Sequence, residues 1–534
     1  MAKELAMGGV EAVLGSHQEE RNSSDGVEGR DHFHELQTQL ADRWQSIDAF
    51  DRRPRQILVV PSLSLDQAEL RKVKGVHYYE ERLLFALIRL RNPETRLIYV
   101  TSQPLHPSIV DYYLELLPGI PSSHARDRLD LFSTYDSSLR PLTQKILDRP
   151  RLIRRIKDKL HHDQAYMTCY NSTECERELA LRLDLPLLAV DPDLLYWGTK
   201  GGSRQIFTEC GIPLPDGSEL THSVSTLAED AAALWERHPE LERIVIKLNE
   251  GFSGEGNALF GLTDLAAVAP GKASHEERAA AIEAAWPSLG FQCDSEDWPS
   301  FAQKIRELGA IAEAFIEGEE KYSPSVQGRV TPKGEVEVLS THDQVLGGPD
   351  GQIFLGCTFP ADDAYRMALQ EMGRKVGENL AAKGALERYS VDFIAVHQPD
   401  NKMQPWDIQA IEINLRKGGT THPFMALKLL TNGTYDSSDG KFYTKNGQAK
   451  YYRASDNLQK DAYKGLLPND LMDIIMGEQL HFSSIDGEGV VFHLMGCLSE
   501  HGKLGLTCIG NTPQVAGEIY EQVVAAIDRA TQEI

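Results

Sequence analysis

The sequence predicts an α/β protein with more than one domain, and three observations carry this prediction. The chain has 534 residues, more than one hydrophobic core usually serves. Strand and helix signals alternate between residues 51 and 190, which is the pattern of βαβ units around a parallel sheet. Near residue 196 the pattern changes to strands joined by a glycine-rich turn, which indicates a second unit of different architecture.

The first 190 residues divide into an extension and an open domain. Residues 1–50 are polar and poorly patterned, and we expect an extension with some helix in FHELQTQLADRWQSI. Residues 51–190 contain the buried strand RQILVV, the amphipathic helix YYEERLLFALIRLRN and a second strand, TRLIYV. An open, Rossmann-like α/β domain accounts for this order.

The rest of the chain is expected to form two connected subdomains and a C-terminal piece. Residues 191–325 contain a helix that ends near Gly211, two strands around the turn NEGFSGEGN, and an Ala- and Glu-rich helical insert at 263–308. Residues 326–435 contain further strands and a long helix. Residues 436–534 begin with a polar, hairpin-like stretch and end in the helix AGEIYEQVVAAIDRA, so we expect a C-terminal α/β extension.

Composition excludes several classes of protein. Hydrophobic residues make up 41% and charged residues 25%, as in soluble globular proteins. No apolar run approaches the roughly 20 residues of a membrane helix, and the N-terminal stretch lacks a signal-peptide core. The seven cysteines are scattered without a CxxC pair, which indicates free thiols and a cytoplasmic location. A formal net charge of −24 argues against binding a nucleic-acid backbone.

The stretch AIEINLRKGGTTHP places polar side chains where a buried strand should not carry them. In an extended strand side chains alternate between two faces, so Ile411 and Ile413 share one face while Glu412, Asn414 and Arg416 share the other. A solvated edge strand is the alternative interpretation of this segment alone.

A further acid interrupts an apolar strand upstream. Asp392 lies within YSVDFIAV, twenty residues before Glu412. If the two strands are neighbours, Asp392, Glu412 and Asn414 bring three oxygen ligands together, a set suited to Mg²⁺ when nucleotide phosphates complete its octahedron. A satisfied structural acid is the alternative for Asp392 alone.

A lysine and a glycine-rich turn suggest a phosphate site. Lys247 lies inside the apolar strand IVIKL, where an ammonium is costly unless it meets an anion. The turn that follows can bring its backbone amides close to phosphate oxygens; the residues concerned are Gly251, Ser253, Gly254 and Gly256. The alternative is a snorkelling lysine before a hairpin turn, since the spacing fits neither the Walker A nor the Rossmann motif.

The segment AEAFIEGEE has the character of an adenine hinge. Glu313 and Glu320 are seven residues apart and bracket Phe315 and Ile316. An extended hinge of this kind can offer backbone groups to an adenine edge, with a carboxylate further on for ribose hydroxyls. A strand that enters an acidic turn is the alternative.

Taken in order, these motifs resemble those of the ATP-grasp superfamily over residues 190 to 430. In that family lysines hold the nucleotide phosphates, a hinge binds adenine and ribose, and acidic and amide side chains hold Mg²⁺; the matching residues are Lys200 and Lys247, Glu313 and Glu320, and Asp392, Glu412 and Asn414. An arginine four residues past the glutamate faces the transferred phosphate or acyl phosphate in several members, and it matches Arg416.

The segments EINLRKGGTTHP and EGVVFHLMGCLSEHGKLGLTCIGNTPQVA are also similar to the pheganomycin-type peptide ligase family. The resemblance implies an ATP-grasp fold with its lid subdomain at 191–325 and its core, including the metal site, at 326–435. A pre-ATP-grasp domain at 51–190 would precede it, and the α/β extension at 436–534 would follow.

The function implied by the resemblance is a carboxylate–amine ligase. Such an enzyme forms an amide through an acyl phosphate and releases ADP and phosphate. The alternatives are an ATP-grasp phosphotransferase acting on a small-molecule hydroxyl and a non-catalytic nucleotide-binding module. The general base is left open among His342, Asp343 and His422.

The resemblance also implies cofactors and partners. The cofactors expected are ATP and one or two Mg²⁺ ions, with Mn²⁺ as an alternative ion. The other partners expected are a small-molecule carboxylate and an amine, either an amino acid or a peptide, with no nucleic acid and no membrane. A homodimer is the candidate assembly.

Overall fold

The computed structural model of the protein describes residues 29–45, 47, 53–65, 67–251, 256–291, 296–347 and 353–532. Three sheets organise these residues: a four-stranded parallel sheet, a four-stranded antiparallel sheet and a larger sheet of eleven strands. All six described cysteines are free thiols, as predicted for them. In the described part of the chain, no helix combines the length and the apolar character that crossing a bilayer requires.

The N-terminal sheet is the predicted open α/β domain. Its strands run parallel in the order β3-β2-β1-β4, with bounds β1 Arg55–Val60, β2 Thr95–Thr101, β3 Leu129–Ser133 and β4 Ala165–Cys169. All residues of β1 are buried, as expected for a parallel strand covered on both faces. Its helices are α1 (29–45), α2 (Gln67–Lys72), the 3-10 helix Val76–Arg91, α3 (Pro107–Glu115), α4 (Ser122–Arg126), α5 (Leu142–Leu147), α6 (Pro150–Lys157) and α7 (Glu174–Leu183).

The predicted N-terminal extension is partly built into this domain. Helix α1 places Phe33, Leu36, Leu40 and Trp44 in the hydrophobic core. The predicted helix in this stretch is confirmed, while residues 1–28 lie outside the described residues.

The second sheet is antiparallel, in the order β7-β6-β5-β8, with bounds β5 Arg243–Leu248, β6 Asn257–Gly261, β7 Gly290–Phe291 and β8 Ala310–Ala314. Its helices are the 3-10 helix Pro192–Gly198, α8 (Lys200–Cys210), α9 (Val224–Arg237), the 3-10 helices Thr263–Val268 and Trp286–Ser288, α10 (His275–Ala285) and α11 (Trp298–Leu308). Helix α8 stops at Gly211, whose φ of 63° only glycine adopts cheaply. The insert shares the core of this sheet through the fully buried Trp286 and Phe301.

The central sheet joins the C-terminal residues to the preceding subdomain. Its main path is β14-β13-β10-β11-β12-β17-β16-β15; β9 pairs with β13, and β19 pairs with both β17 and β18. The strands are β9 Lys321–Tyr322, β10 Pro324–Val330, β11 Val336–Gly347, β12 Ile353–Phe359, β13 Glu387–His397, β14 Trp406–Asn414, β15 Thr434–Asp436, β16 Lys441–Tyr443, β17 Ala449–Gln459, β18 Gly489–His493 and β19 Lys503–Gly510. The C-terminal extension therefore continues one sheet rather than starting another.

Helices cover the central sheet. They are α12 (Arg366–Ala382), α13 (Thr421–Thr431), the 3-10 helix Asp461–Tyr463, α14 (Pro468–Gly477), α15 (Cys497–His501) and α16 (Pro513–Gln532). Helix α12 packs on β10 and β11, and α16 packs on β17 and β19. Two regions of the sheet are therefore covered by helices from different parts of the chain.

Candidate active site

A cavity of about 560 Å³ lies between the second sheet, the central sheet and helical and loop residues of the N-terminal domain. Strands β5 and β8 contribute Lys247 and Glu313 to its lining, and β13 and β14 contribute Asp392, Glu412 and Asn414. Residues of the N-terminal domain and of β17 and β19 close its far side. Most of the residues predicted from separate motifs thus face one space.

Asp392 and Glu412 are direct partners across the antiparallel pair β13–β14. The Nδ2 atom of Asn414 donates to Asp392 Oδ2 at 3.0 Å, and Gln344 Nε2 donates to Asp392 Oδ1 at 2.9 Å. Burial and the neighbouring Glu412 carboxylate raise the pKa of Asp392 to about 7. Two carboxylates that disfavour each other's charge, beside an amide, fit a divalent cation with oxygen ligands.

No third acidic, histidine or cysteine side chain joins these two acids in a metal-holding group anywhere in the described ranges. The predicted set of two carboxylates and one amide is therefore the set to test. Such a set leaves positions for phosphate oxygens and water, which suits Mg²⁺.

Strand β14 is an edge strand, but its polar face is not a solvated surface. Its backbone is covered by the chain around α8: Ile413 N donates to Ser203 Oγ at 3.0 Å and Ala410 N donates to Pro213 O at 2.8 Å. Glu412 and Asn414 face the cavity instead. The alternative of a solvated edge strand does not describe this segment.

A register shift next to Asp392 changes the predicted apolar face of β14. Asp392 pairs with Glu412, whereas Phe393 pairs with Ala410, so Ile411 is an extra residue on β14. Ile413 is fully buried as expected, but Ile411 is half-buried and lines the cavity. Bulges of this kind re-aim side chains beside functional sites.

The two predicted phosphate lysines are buried and paired with acids. Lys200 begins α8, and its Nζ lies 2.5 Å from Glu412 Oε2. Lys247 forms an ion pair with Glu313, whose Oε1 also lies 2.6 Å from Arg204 Nη1. Because its ammonium is enclosed and paired with a buried acid, Lys247 is not a snorkelling side chain.

Glu313 is nearly inaccessible, with 2% of its surface exposed. Burial opposes its ionisation, but Lys247 and Arg204 outweigh burial and hold the pKa of Glu313 below its usual value. The acid expected near adenine is therefore charged and holds Lys247 in place.

The glycine turn is described only at its two ends. Gly251 and Gly256 lie so close together that a Cβ on Gly251 would stand 3.2 Å from Gly256 Cα. Ser253 and Gly254 lie outside the described residues, and their contact with phosphate stays a prediction.

The predicted hinge is divided between the cavity and the surface. Phe315 and Ile316 follow β8 and line the cavity. The Phe315 ring lies between two cations, with Arg243 Cζ 4.1 Å and Lys321 Nζ 4.5 Å from its centroid. Glu320 is exposed outside the cavity lining, with Oε2 2.7 Å from His397 Nδ1, so its contact with ribose stays a prediction.

Arg416 lies just past the end of β14 and lines the cavity together with Gly418 and Gly419. Its charge is close enough to Asp392 to oppose the rise of that pKa. The guanidinium therefore lies beside the two acids, as predicted from strand periodicity.

The three histidine and aspartate residues considered as general bases lie away from this lining. His422 is buried on α13, with its ring centroid 3.7 Å from that of His493, and burial holds its pKa well below the usual value. His342 is fully buried with Nε2 2.5 Å from Tyr452 Oη, and burial lowers its pKa to about 3. Asp343 accepts from Tyr365 Oη at 2.7 Å. A base role for any of them stays a prediction.

The far wall of the cavity was missed from the sequence. Its side chains come from the 3-10 helix of the N-terminal domain, from the chain after β4, and from β17 and β19; they are Tyr79, Arg82, Tyr170, Asp456 and Lys503. One signal was available, because three consecutive charged residues, 80 to 82, interrupt an otherwise apolar helical stretch.

Two family descriptions match this chain. Residues 194–288 and 291–438 match the family described as "IQCH-like, ATP-grasp". Residues 470–523 match "PGM1 C-terminal domain". The first match spans the cavity strands β5, β8, β13 and β14.

Two curated relatives resemble the chain over most of its length. The "L-propargylglycine--L-glutamate ligase" of Streptantibioticus cattleyicolor is 28% identical over 457 residues, covering 84% of this chain and 89% of that protein. The "IQ motif-containing protein H" of Danio rerio is 25% identical over 452 residues, covering 77% of this chain. The chain spans only 42% of the length of that second relative.

Solved structures share the fold at low sequence identity. A biotin carboxylase domain of Hydrogenobacter thermophilus 2-oxoglutarate carboxylase, in complex with MgADP, ADP and bicarbonate, has a TM-score of 0.51 at 13% identity, covering 88% of this chain and 89% of that one. The biotin carboxylase complex with β,γ-ATP from Campylobacter jejuni has a TM-score of 0.50 at 12% identity, covering 88% and 90%. These likenesses concern the fold alone, and the predicted fold class is confirmed.

Proposed function

Because residues 194–288 and 291–438 match an ATP-grasp family and a ligase resembles the chain over most of its length, we propose that the chain is an ATP-grasp enzyme, an ATP- and Mg²⁺-dependent ligase that joins an acid to an amine. The carboxylate oxygen of the acid attacks the γ-phosphorus of ATP, and the bond to ADP breaks. The amine nitrogen then attacks the acyl carbon, phosphate leaves with the carbon–oxygen electron pair, and the nitrogen loses its proton to solvent or a base. The products are an amide, ADP and phosphate.

One observation carries this proposal: the two acids share their cavity with Arg416, the two glycines and a further set of polar side chains. A site that only bound nucleotide would need the hinge, the lysines and the acids. The additional lined space gives room for an acid at Arg416 and an amine beyond it. Holding three reactants in one cavity supplies the proximity that such a reaction needs.

We assign roles to the residues of this site. Lys200 and Lys247 bind phosphate oxygens, and Asp392, Glu412 and Asn414 hold the cation. When bound, Mg²⁺ neutralises phosphate charge and orients the transferring group. Arg416 provides a planar pair of donors for the oxygens of the reacting carboxylate or phosphoryl group. Excluding water from a hydrolysable intermediate is the role that we predict for the glycine turn, whose residues 252–255 lie outside the described residues.

We infer that both substrates are amino acids or short peptides. The curated relative with 28% identity is named for joining L-propargylglycine to L-glutamate, and it covers most of this chain. A peptide-type ligation is the proposal that this relative supports, and we place the reaction in the cytoplasm.

The test is a screen of ADP and phosphate release against pooled acids and amines, with mass spectrometry of the products. We expect phosphate release that requires an amine. We also expect a product whose mass equals that of the acid plus the amine minus water. ADP release without free phosphate would indicate a phosphotransferase instead. Nucleotide binding without substrate-stimulated ATP consumption would indicate a non-catalytic module.

A further inference from the structure

The far wall of the cavity, defined above by Tyr79, Arg82, Tyr170, Asp456 and Lys503, is a built polar surface. All five lie outside the ATP-grasp match at 194–438: three precede it, Asp456 follows it on β17, and Lys503 of β19 lies within the second match at 470–523. All five are buried and all five line the cavity. Charged side chains buried against a cavity require partners, and the partners differ between the two cations of this wall.

Arg82 has its partners within the protein. Its Nη2 pairs with Asp456, its Nη1 donates to Tyr170 Oη at 2.9 Å, and its Cζ lies 4.1 Å from the centroid of the Tyr79 ring. Arg82 and Asp456 therefore neutralise each other across 374 residues of sequence. This pair connects the N-terminal domain to β17 and makes the wall rigid.

Lys503 has no such partner. Its Nζ donates to Tyr79 Oη at 2.8 Å, and the side chain is 6% exposed. Over the described ranges of the chain, no carboxylate lies within 4.0 Å of this ammonium, in contrast to Lys200 and Lys247. An ammonium has three donors, and one neutral phenol oxygen leaves a buried positive charge without a counter-charge. The cavity is where an anion can reach it.

Lys503 is not among the cations that the proposed function assigns to other anions. That proposal places the nucleotide phosphates at Lys200 and Lys247 and the reacting carboxylate at Arg416. Lys503 lines the same cavity as Gly418 and Gly419, and it remains for a third anion, one that the amine substrate can bring. Asn457 and Gln459 line the same region and can hydrogen-bond to carboxylate oxygens.

Resting on the proposed ligase function, we propose that Lys503 anchors the carboxylate of the amine substrate. The amine substrate is then an amino acid or a peptide with a free C-terminal carboxylate, and simple amines or C-terminal amides are poor substrates. Tyr79 positions the ammonium of Lys503, and the Arg82 guanidinium, paired with Asp456, packs on the Tyr79 ring.

The experiment compares each L-amino acid with its C-terminal amide as the amine, in amine-dependent phosphate release by the full-length protein. For the wild type we expect a KM for the free acids at least about 10-fold below that for the amides, since one charged hydrogen bond is lost. Lys503→Met should raise the KM for the free acids about 10- to 100-fold and leave the KM for the amides and for ATP unchanged. If Lys503→Met raises the KM for the free acids and the KM for the amides equally, the assignment is overturned.

Two further variants keep the test decisive. Lys450→Met removes a buried lysine of β17 whose Nζ donates to the backbone oxygens of Asp486 and Gly487, outside the cavity lining, and should not change the ratio of KM values. If Lys503→Met does not fold, Tyr79→Phe keeps the ring and removes the hydroxyl. It should raise the KM for free acids by a smaller factor and leave the amides unchanged.

The experiment distinguishes failure of the proposed ligase function from failure of the proposed carboxylate site at Lys503. Equal use of acids and amides by an active wild type would overturn the carboxylate site and leave the ligase intact. If the wild type releases no phosphate with any pair, binding of L-amino acids and their amides in the presence of ADP is measured by ligand-observed NMR. Binding that requires both the carboxylate and Lys503 would then support the site, and its absence would overturn the site together with the function.

Discussion

The Nζ atom of Lys200 lies 2.5 Å from Oε2 of Glu412. This ion pair joins the first residue of α8 to β14. The backbone N of Lys200 also donates to Asn249 O at 3.0 Å, which holds α8 against the end of β5. Lys247 and Glu313 form a second pair in the same cavity. In these two pairs each charge has a partner of opposite sign, so removal of one partner leaves an uncompensated charge.

The pair of Lys247 and Glu313 predicts a separation between stability and activity. Lys247→Met should lower ADP release about 10²-fold, because one charge contact to phosphate in a closed site is lost. Its melting temperature should also fall, because Glu313 keeps only Arg204 as a partner. Lys247→Met combined with Glu313→Gln removes both charges of this pair but leaves Arg204 without its carboxylate, so it should recover only part of the stability and none of the ADP release. Recovery of ADP release in the double variant would contradict a phosphate role for Lys247.

The proposed metal site at the end of β14 predicts that replacing its side chains abolishes Mg²⁺-dependent ADP release. Glu412→Gln combined with Asn414→Ala should abolish Mg²⁺-dependent ADP release. The variant should fold, since both side chains face the cavity, but melt at a lower temperature because the buried Lys200 loses its carboxylate partner. Asp407→Asn, on the same strand, is the matched control because Asp407 accepts from Gln409 and lies outside the cavity lining. Magnesium titrations of both variants, with circular dichroism, provide the measurement. Normal turnover by a folded double variant would refute the metal site.

Arg416→Lys tests whether the guanidinium acts on the reacting group. Lysine keeps the charge but loses the planar fork, so ATP affinity should stay nearly unchanged while substrate-dependent ADP release falls about 10²-fold. Arg453→Lys is a control, because Arg453 makes a partly exposed ion pair with Glu521. ATP affinity, ADP release and melting are measured on one preparation. A loss of melting temperature with turnover in proportion to the folded fraction would indicate a structural arginine.

Two buried acids of the N-terminal domain predict a pH dependence of stability. Burial raises the pKa of Glu80 to about 7 and that of Glu81 to about 8. A pKa raised on folding means that the folded state binds the proton more tightly. The contribution of these two protonated carboxyl groups to the free energy of unfolding is therefore complete below about pH 4.5. It is lost as the pH rises through 7 and 8.

Glu81→Gln removes one of these titrations and keeps an acceptor for Gly496 N, which donates to both carboxylate oxygens of Glu81 at 3.2 and 3.1 Å. The melting temperature of the wild type should fall between pH 5 and pH 9, and that of Glu81→Gln should fall less. Parallel curves for the two proteins would show that Glu81 is not the titrating group. Glu174→Gln, an exposed acid at the start of α7, serves as the control.

Much of the site was determined by the sequence alone. The period-two alternation of a strand places Glu412 and Asn414 on one face, and an isolated lysine in an apolar strand predicted the buried charge of Lys247. The alternation of strands and helices predicted the open N-terminal domain, and the order of the motifs predicted the ATP-grasp fold. These inferences succeeded because each depends on local periodicity or on the cost of burying a charge.

Only the tertiary structure decided which separate segments meet. The register that sets Asp392 opposite Glu412, and the bulge that turns Ile411 into the cavity, depend on how two strands pair. The far wall brings Arg82 to Asp456 from positions 374 residues apart, because β17 continues the central sheet. Neither position carries a local pattern that names its partner. Long-range pairing is chosen by the packing of whole sheets and helices, so residues such as Lys503 become recognisable as site residues only when the fold brings them to the cavity.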